Sequence, residues 1–70
     1  MKKFDCKVKM CNSYNPPVAP NVKGMKVGDV VKVWKSTRTD ENGSLVCIEL
    51  VNGDVIEMSR IFCNLHLEYM

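Results

Sequence analysis

An Asn-Gly pair at positions 52 and 53 separates two runs of β-forming residues, 45–51 and 54–59. This is the strongest short signal for a β-hairpin, because Asn and Gly accept the positive φ angles that tight hairpin turns need. We predict a hairpin here and interpret the rest of the chain as strands added to it.

The register of this hairpin follows from its hydrophobic pattern. A two-residue loop would pair Ile48 with Glu57 and place a carboxylate on an apolar face, where charge is costly. A three-residue loop at 51–53, with Gly53 in the left-handed region, keeps that face apolar. The pairs that it predicts are Leu50 with Asp54, Ile48 with Ile56 and Val46 with Met58.

Alternating and β-rich runs elsewhere predict an all-β fold. We predict five strands, at residues 3–11, 30–38, 45–51, 54–59 and 65–69. A Pro-rich stretch at 12–24 predicts a long first loop, and residues 40–43 predict a turn. Residues 59–64 have no period of two and predict a short 3₁₀ turn before the last strand. In that strand Leu65, Leu67 and Tyr69 should face inward, and His66 and Glu68 outward.

Length and composition predict one small domain covering residues 1–70. No apolar run is long enough to cross a bilayer, and the first residues lack the apolar stretch of a signal peptide. We therefore expect a cytoplasmic protein with reduced cysteines and no membrane partner.

Charge is distributed unevenly along the chain. Residues 1–35 hold eight lysines and two aspartates, a net charge of +6, whereas residues 36–70 hold two arginines and six carboxylates, a net charge of −4. Such asymmetry concerns association and partners more than fold. One interpretation is a surface whose two halves attract each other in the folded protein.

The order of these elements resembles that of an SH3-like small β-barrel. The Val-Gly-Asp-Val-Val-Lys-Val stretch at 27–33 is similar to the first barrel strand of KOW-type domains. Very small phage and prophage proteins have similar features, which in this chain are Lys7-Val8-Lys9, the strand from Gly28 to Val33, Asn52-Gly53 and Phe62. The resemblance implies a five-stranded SH3-like barrel and by itself transfers no function. A phage-type modulator of a host factor is one form of the hypothesis that the protein binds another protein. The long loop at 12–24 departs from that pattern.

The four cysteines and the single histidine give no clear chemical site. Cys6 and Cys11 should face opposite ways on one strand, so a zinc site would need a bulge between them. Buried or free thiols are the simpler interpretation, and a zinc-stabilised domain stays an alternative. His66 has no partner fixed by sequence, and we expect it at the surface. We predict no cofactor and no enzymatic activity.

Trp34 is the most informative candidate for binding. Two interpretations stay open: its side chain packs in the core, or it is exposed between lysines and binds a partner. The first functional hypothesis is a protein-binding module, and the second is a nucleic-acid-binding barrel using Trp34 and a lysine-rich face. A single core does not account for the apolar residues Val30, Val51 and Val55. A homodimer that covers them is therefore an open alternative. The candidate binding residues are Trp34, Lys32, Lys35, Tyr14, Pro16, Pro17, Lys7 and Lys9.

Overall fold

Five antiparallel strands and one short helix form the regular structure of the computed structural model, which describes residues 2–41 and 43–70. In chain order the elements are β1 (Phe4–Val8), β2 (Val30–Asp40), β3 (Gly43–Glu49), β4 (Val55–Met58), α1 (Arg60–His66) and β5 (Leu67–Tyr69). The strands form one sheet in the order β4-β3-β2-β1-β5. The mainly β fold with five strands is therefore confirmed.

The sheet is open. Strands β4 and β5 form its two edges, and no pairing joins these edges within the described residues. Closure into a barrel is thus not observed. The first strand is shorter than predicted, because it ends at Val8, and β2 is longer, because it continues to Asp40.

The hairpin between β3 and β4 has the predicted register. Val46 lies opposite Met58 and Ile48 opposite Ile56. At its tip Leu50 N–H donates to the Asp54 carbonyl at 2.8 Å, and Gly53 has φ +93°. The prediction of a three-residue loop with Gly53 in the left-handed region is confirmed.

The core lies between one face of the sheet, α1 and the loop before β2. Ile48, Val8 and Val31 are the most completely buried of its large side chains. Met25 from the loop and Leu67 from β5 complete it, and Phe62 and Cys63 of α1 pack against it. Every buried side-chain nitrogen or oxygen of the described residues has a hydrogen-bond partner.

The predicted 3₁₀ turn at 59–64 is wrong, because these residues open a two-turn α-helix. Ser59 is the N-cap, and its Oγ accepts a hydrogen bond from Phe62 N–H at 3.2 Å. Phe62 and His66, four residues apart, lie on one helix face with ring centroids 5.0 Å apart. Leu65 and His66 therefore belong to α1 and not to the last strand.

Two predictions about facing residues are also wrong. His66 is buried, only 8% exposed, and its Nδ1 lies 3.2 Å from the Lys9 carbonyl oxygen. Tyr69 is 74% exposed, although its cross-strand partner is the buried Cys6. The core ends before Tyr69, because a domain this small cannot cover both ends of its strands.

The long loop between β1 and β2 lacks strands, as predicted. A single bridge, in which Cys11 and Val18 exchange backbone hydrogen bonds of 2.8 and 3.1 Å, closes its first part. Pro20 is buried at its base. The predicted turn at 40–43 includes Asn42, which lies outside the described residues. No helix in the described part of the chain has the length and apolar character needed to cross a membrane.

Candidate functional site

A cleft of 370 Å³ opens between α1 and the sheet, at the end where β1 begins and β5 finishes. We call it the helix–sheet cleft. The sheet forms one wall, and residues of α1 between Arg60 and Asn64 form the other. Its lining residues are Phe4, Cys6, Val33, Trp34, Lys35, Val46, Arg60, Cys63, Asn64, Leu67 and Tyr69.

Strand register explains why these side chains meet. Phe4 lies opposite Val33 and Lys35 opposite Val46, so the four belong to the same face of the sheet. Lys35 is therefore two residues beyond the core residue Val33 on the core face. The sequence predictions grouped Lys35 with Lys32 and Trp34, but the pleat separates it from both.

An aromatic pair stands at the mouth of the helix–sheet cleft. Phe4 and Tyr69 meet edge to face, with ring centroids 5.8 Å apart and an interplanar angle of 86°. Phe4 is 42% exposed and Tyr69 74% exposed. Large aromatic surface left in water beside a cavity is typical of sites that bind a partner.

Trp34 is half-buried and borders the helix–sheet cleft, but strand alternation places its side chain on the opposite face from Lys35, with Lys32 and Glu49. The Lys3 ammonium group lies 4.5 Å from its ring centroid, a cation–π contact. The lysine over Trp34 is thus Lys3, and not Lys32 or Lys35, which the sequence predictions placed beside it.

The charged groups of the helix–sheet cleft are all positive. Lys35 and Arg60 line it, and its lining includes no Asp or Glu. Neither cation takes part in an ion pair within residues 2–41 and 43–70. The cleft therefore combines an apolar cavity with two cations that have no internal counter-charge.

Two thiols lie at the inner end of the cleft. Cys6 is buried and Cys63 half-buried. Burial, and secondly the neighbouring Cys6, raise the pKa of the Cys63 thiol to about 11, and burial with the charge of Asp5 raises the pKa of Cys6. Both groups are protonated at neutral pH, so they act as small apolar surfaces and not as nucleophiles.

The remaining lysines of the predicted site lie elsewhere. Lys32 is on the opposite face of the sheet, where its ammonium group pairs with Asp5 at 2.9 Å. Asp5, by hydrogen bond and by charge, raises the pKa of Lys32. Lys7 is exposed opposite Glu68, and Lys9 is half-buried beside His66. That face also carries Glu49 and Glu57, so the charges there are mixed and not uniformly basic.

The loop residues of the predicted site are separate from the helix–sheet cleft. Tyr14 is 61% exposed, and Pro16 and Pro17 are exposed on the same segment, which includes a cis Asn15–Pro16 bond. This segment leaves the sheet after Val8, at the opposite end of β1 from Phe4. No ring contact joins Tyr14 to another aromatic residue in the described part of the chain.

Of the eleven residues that line the cleft, only Trp34 and Lys35 were predicted as site residues. The exposed ones among the other nine are Phe4, Tyr69, Arg60 and Asn64. Alternation placed Phe4 and Tyr69 on the correct face but gave no sign that the core stops short of them. Arg60 and Asn64 are four apart on one helix face, a spacing that has meaning only once residues 60–66 are recognised as a helix.

The cysteines are divided between different parts of the molecule. Cys47 lies opposite Trp34 and Glu57 in the sheet, and Cys11 is buried within the loop between β1 and β2, where it pairs with Val18. No three His, Cys, Asp or Glu residues among those described are placed to hold a metal ion. The zinc alternative thus has no ligand set in this part of the structure.

Compared with protein-family models, with curated proteins and with solved structures, the chain shows no match.

Proposed function

We propose that this protein is a non-enzymatic binding module that takes a segment of another protein into the helix–sheet cleft. The observation that carries the proposal is the exposed Phe4–Tyr69 pair at the mouth of a 370 Å³ cavity. Ligand cavities in proteins typically measure about 300–1,000 Å³, so this one suits one or two side chains of a partner. Aromatic residues are enriched where proteins bind one another.

The finer fold assignment is part of the same proposal: a small SH3-like domain, with β5 returning to the first strand. It is supported by the meander β2-β3-β4, by β1 lying between β2 and β5, and by the short helix just before β5. A phage-type modulator acting on a host factor in the cytoplasm would be such a module. Four free thiols are compatible with a reducing compartment.

The protonated thiols support binding over catalysis. A cysteine nucleophile needs a lowered pKa, whereas the pKa of Cys63 is raised to about 11. His66, which could serve as a base, is buried against Phe62 and Lys9.

Selection from a random peptide library tests the proposal. The immobilised protein should enrich peptides that also bind it in solution, with a change in fluorescence of Trp34, the single tryptophan. Tyr69→Ala should weaken these peptides by about tenfold or more, because a central aromatic contact often supplies over 1 kcal/mol.

Tyr14→Ala is the matched control, since it removes an exposed tyrosine from the loop and leaves the cleft intact. Enrichment no better than on blank beads would overturn the proposal. Binding that is lost with Tyr14→Ala and kept with Tyr69→Ala would also overturn it, and would place the site on the Pro-rich loop.

Nucleic-acid binding is a second candidate, supported by the half-buried Trp34 with Lys3 over its ring and by the exposed Lys35 and Arg60 nearby. Aromatic stacking and nearby cations bind single strands without sequence preference. Fluorescence anisotropy with labelled oligo-dT and oligo-U at low salt tests it. Binding that weakens steeply with added salt would support this candidate, and no binding to either probe would remove it.

A further inference from the structure

The helix–sheet cleft carries positive charge in addition to its apolar lining. Its lining holds two cations, Lys35 and Arg60, and no carboxylate, in a chain that has eight acidic residues. Neither cation has an ion-pair partner among the described residues. Both residues are exposed beside the cavity, so a partner seated there would bring its own charges next to them.

The opposite face of the sheet shows the contrasting pattern. There Asp5, Glu49 and Glu57 each pair with a basic side chain, at 2.9, 3.4 and 2.9 Å respectively. That face is neutralised by its own residues, whereas the cleft face is not. Charge complementarity thus assigns an anionic partner to the cleft and gives no such indication for the other face.

The two unpaired cations stand beside an apolar cavity and not along a basic track. Cys6, Val33, Val46 and Leu67 give the cavity an apolar lining, which suits an aliphatic or aromatic side chain. A guanidinium group can bind a carboxylate through two parallel hydrogen bonds, and an ammonium group adds a point charge.

We infer that the occupant of the helix–sheet cleft is an acidic protein segment, with an apolar side chain in the cavity and flanking carboxylates on Arg60 and Lys35. This inference rests on the proposed function and specifies its partner. A nucleic acid fits less well, because its phosphates need a series of cations along the surface, and the lining of the cleft offers two.

The composition of selected peptides is the first test. Twelve-residue peptides enriched from a random library should contain Asp or Glu beside a hydrophobic residue more often than the input library does. In the tightest peptide, replacing each Asp by Asn and each Glu by Gln should weaken binding about tenfold or more, since hydrogen bonds between charged groups are stronger than those between neutral groups.

Variants of the protein then locate the effect. In the double variant Lys35→Gln/Arg60→Gln, the preference for the acidic peptide over its amide version should fall to about twofold or less. The matched control is Lys23→Gln/Lys26→Gln, which removes two exposed lysines that are likewise unpaired among the described residues and lie outside the cleft. This control should keep the full preference, and circular dichroism should confirm that both double variants are folded.

The outcomes separate this inference from the function on which it rests. Peptides that need Tyr69 but bind equally well in acidic and amide form would overturn the inference and leave the binding module standing. No enrichment of any peptide would overturn the binding module itself. Competition of oligo-dT for the same site, lost in Lys35→Gln/Arg60→Gln, would replace the acidic segment by a nucleic acid and so overturn the inference.

Discussion

The Ser36 hydroxyl donates a hydrogen bond to the Glu57 carboxylate, joining β2 to β4 across the strand between them. Ser36 is buried and lies where the register between β2 and β3 shifts. Its Oγ also accepts a hydrogen bond of 3.0 Å from Arg38 N–H, and Arg38 Nη1 pairs with Glu57 Oε1 at 2.9 Å. One small side chain therefore fixes both the irregular part of β2 and the carboxylate facing it.

Replacing Ser36 by Ala should lower the free energy of unfolding by about 1–2 kcal/mol, because the variant leaves a part-buried carboxylate oxygen and a backbone N–H without their partner. Urea unfolding followed by circular dichroism measures the change. Thr37→Ala, at the exposed neighbouring position, should change the free energy by no more than about 0.5 kcal/mol. Equal urea midpoints for the two variants would show that this hydrogen bond does not contribute.

The hairpin tip gives a second prediction, which concerns backbone conformation alone. Gly53 has φ +93°, and a Cβ added there would meet nothing within 4 Å. Gly53→Ala should therefore cost about 1–2 kcal/mol through conformational strain and not through a clash.

Gly53→Asn separates strain from the loss of glycine as such, because Asn tolerates the left-handed region better than Ala. Its urea midpoint should lie between those of the wild type and Gly53→Ala. An alanine variant as stable as the wild type would mean that the three-residue loop does not form with this geometry.

The hairpin could be predicted from the sequence because every feature that fixes it is local. Asn52-Gly53 sets the turn, and the cost of placing Glu57 opposite Ile48 sets the register within fourteen residues. The same reasoning failed at 59–66. There Leu65, Leu67 and Tyr69 alternate as in a strand, while Phe62 and His66 have helical spacing, and only packing against β3 and β5 selects the helix.

The helix–sheet cleft could not be predicted for a related reason. Its walls come from both ends of the chain, with Phe4 and Tyr69 brought together by the pairing of β1 with β5. Trp34 and Lys35 were identified as binding residues, but their neighbours depend on which strands pair. Charge counted along the chain also gave no sign that the carboxylates would lie away from the cleft.

The N-cap of α1 gives a third prediction, because this helix forms one wall of the cleft. Ser59→Ala removes the acceptor for Phe62 N–H, and should cost about 1 kcal/mol. Ser59→Asp keeps an acceptor at the cap and should be close to wild type in thermal unfolding. If Ser59→Asp were as destabilised as Ser59→Ala, the cap hydrogen bond would not be the cause.

The last prediction concerns alkaline pH and the thiol in the cleft. The pKa of Cys63 is about 11 in the folded protein, against 9.0 for an unperturbed thiol, mainly because of burial. The folded state therefore holds this proton more tightly than the unfolded chain does. Its contribution to stability is complete below about pH 9 and is lost as the pH rises from 9 to 11.

Cys63→Ala and Cys63→Val both remove the titrating group, and Val keeps most of the side-chain volume. Between pH 9 and pH 11 the unfolding free energy of the wild type should fall by about 1 kcal/mol more than that of either variant. This value is smaller than the full pKa difference implies, because Cys63 is only half-buried and solvent screens its charge. Urea unfolding across this range measures it, and taking the difference from the variant cancels the contributions of all groups other than Cys63. If the difference stayed constant with pH, Cys63 would be freely solvated, and the helix–sheet cleft would lack the dry inner end on which an apolar ligand depends.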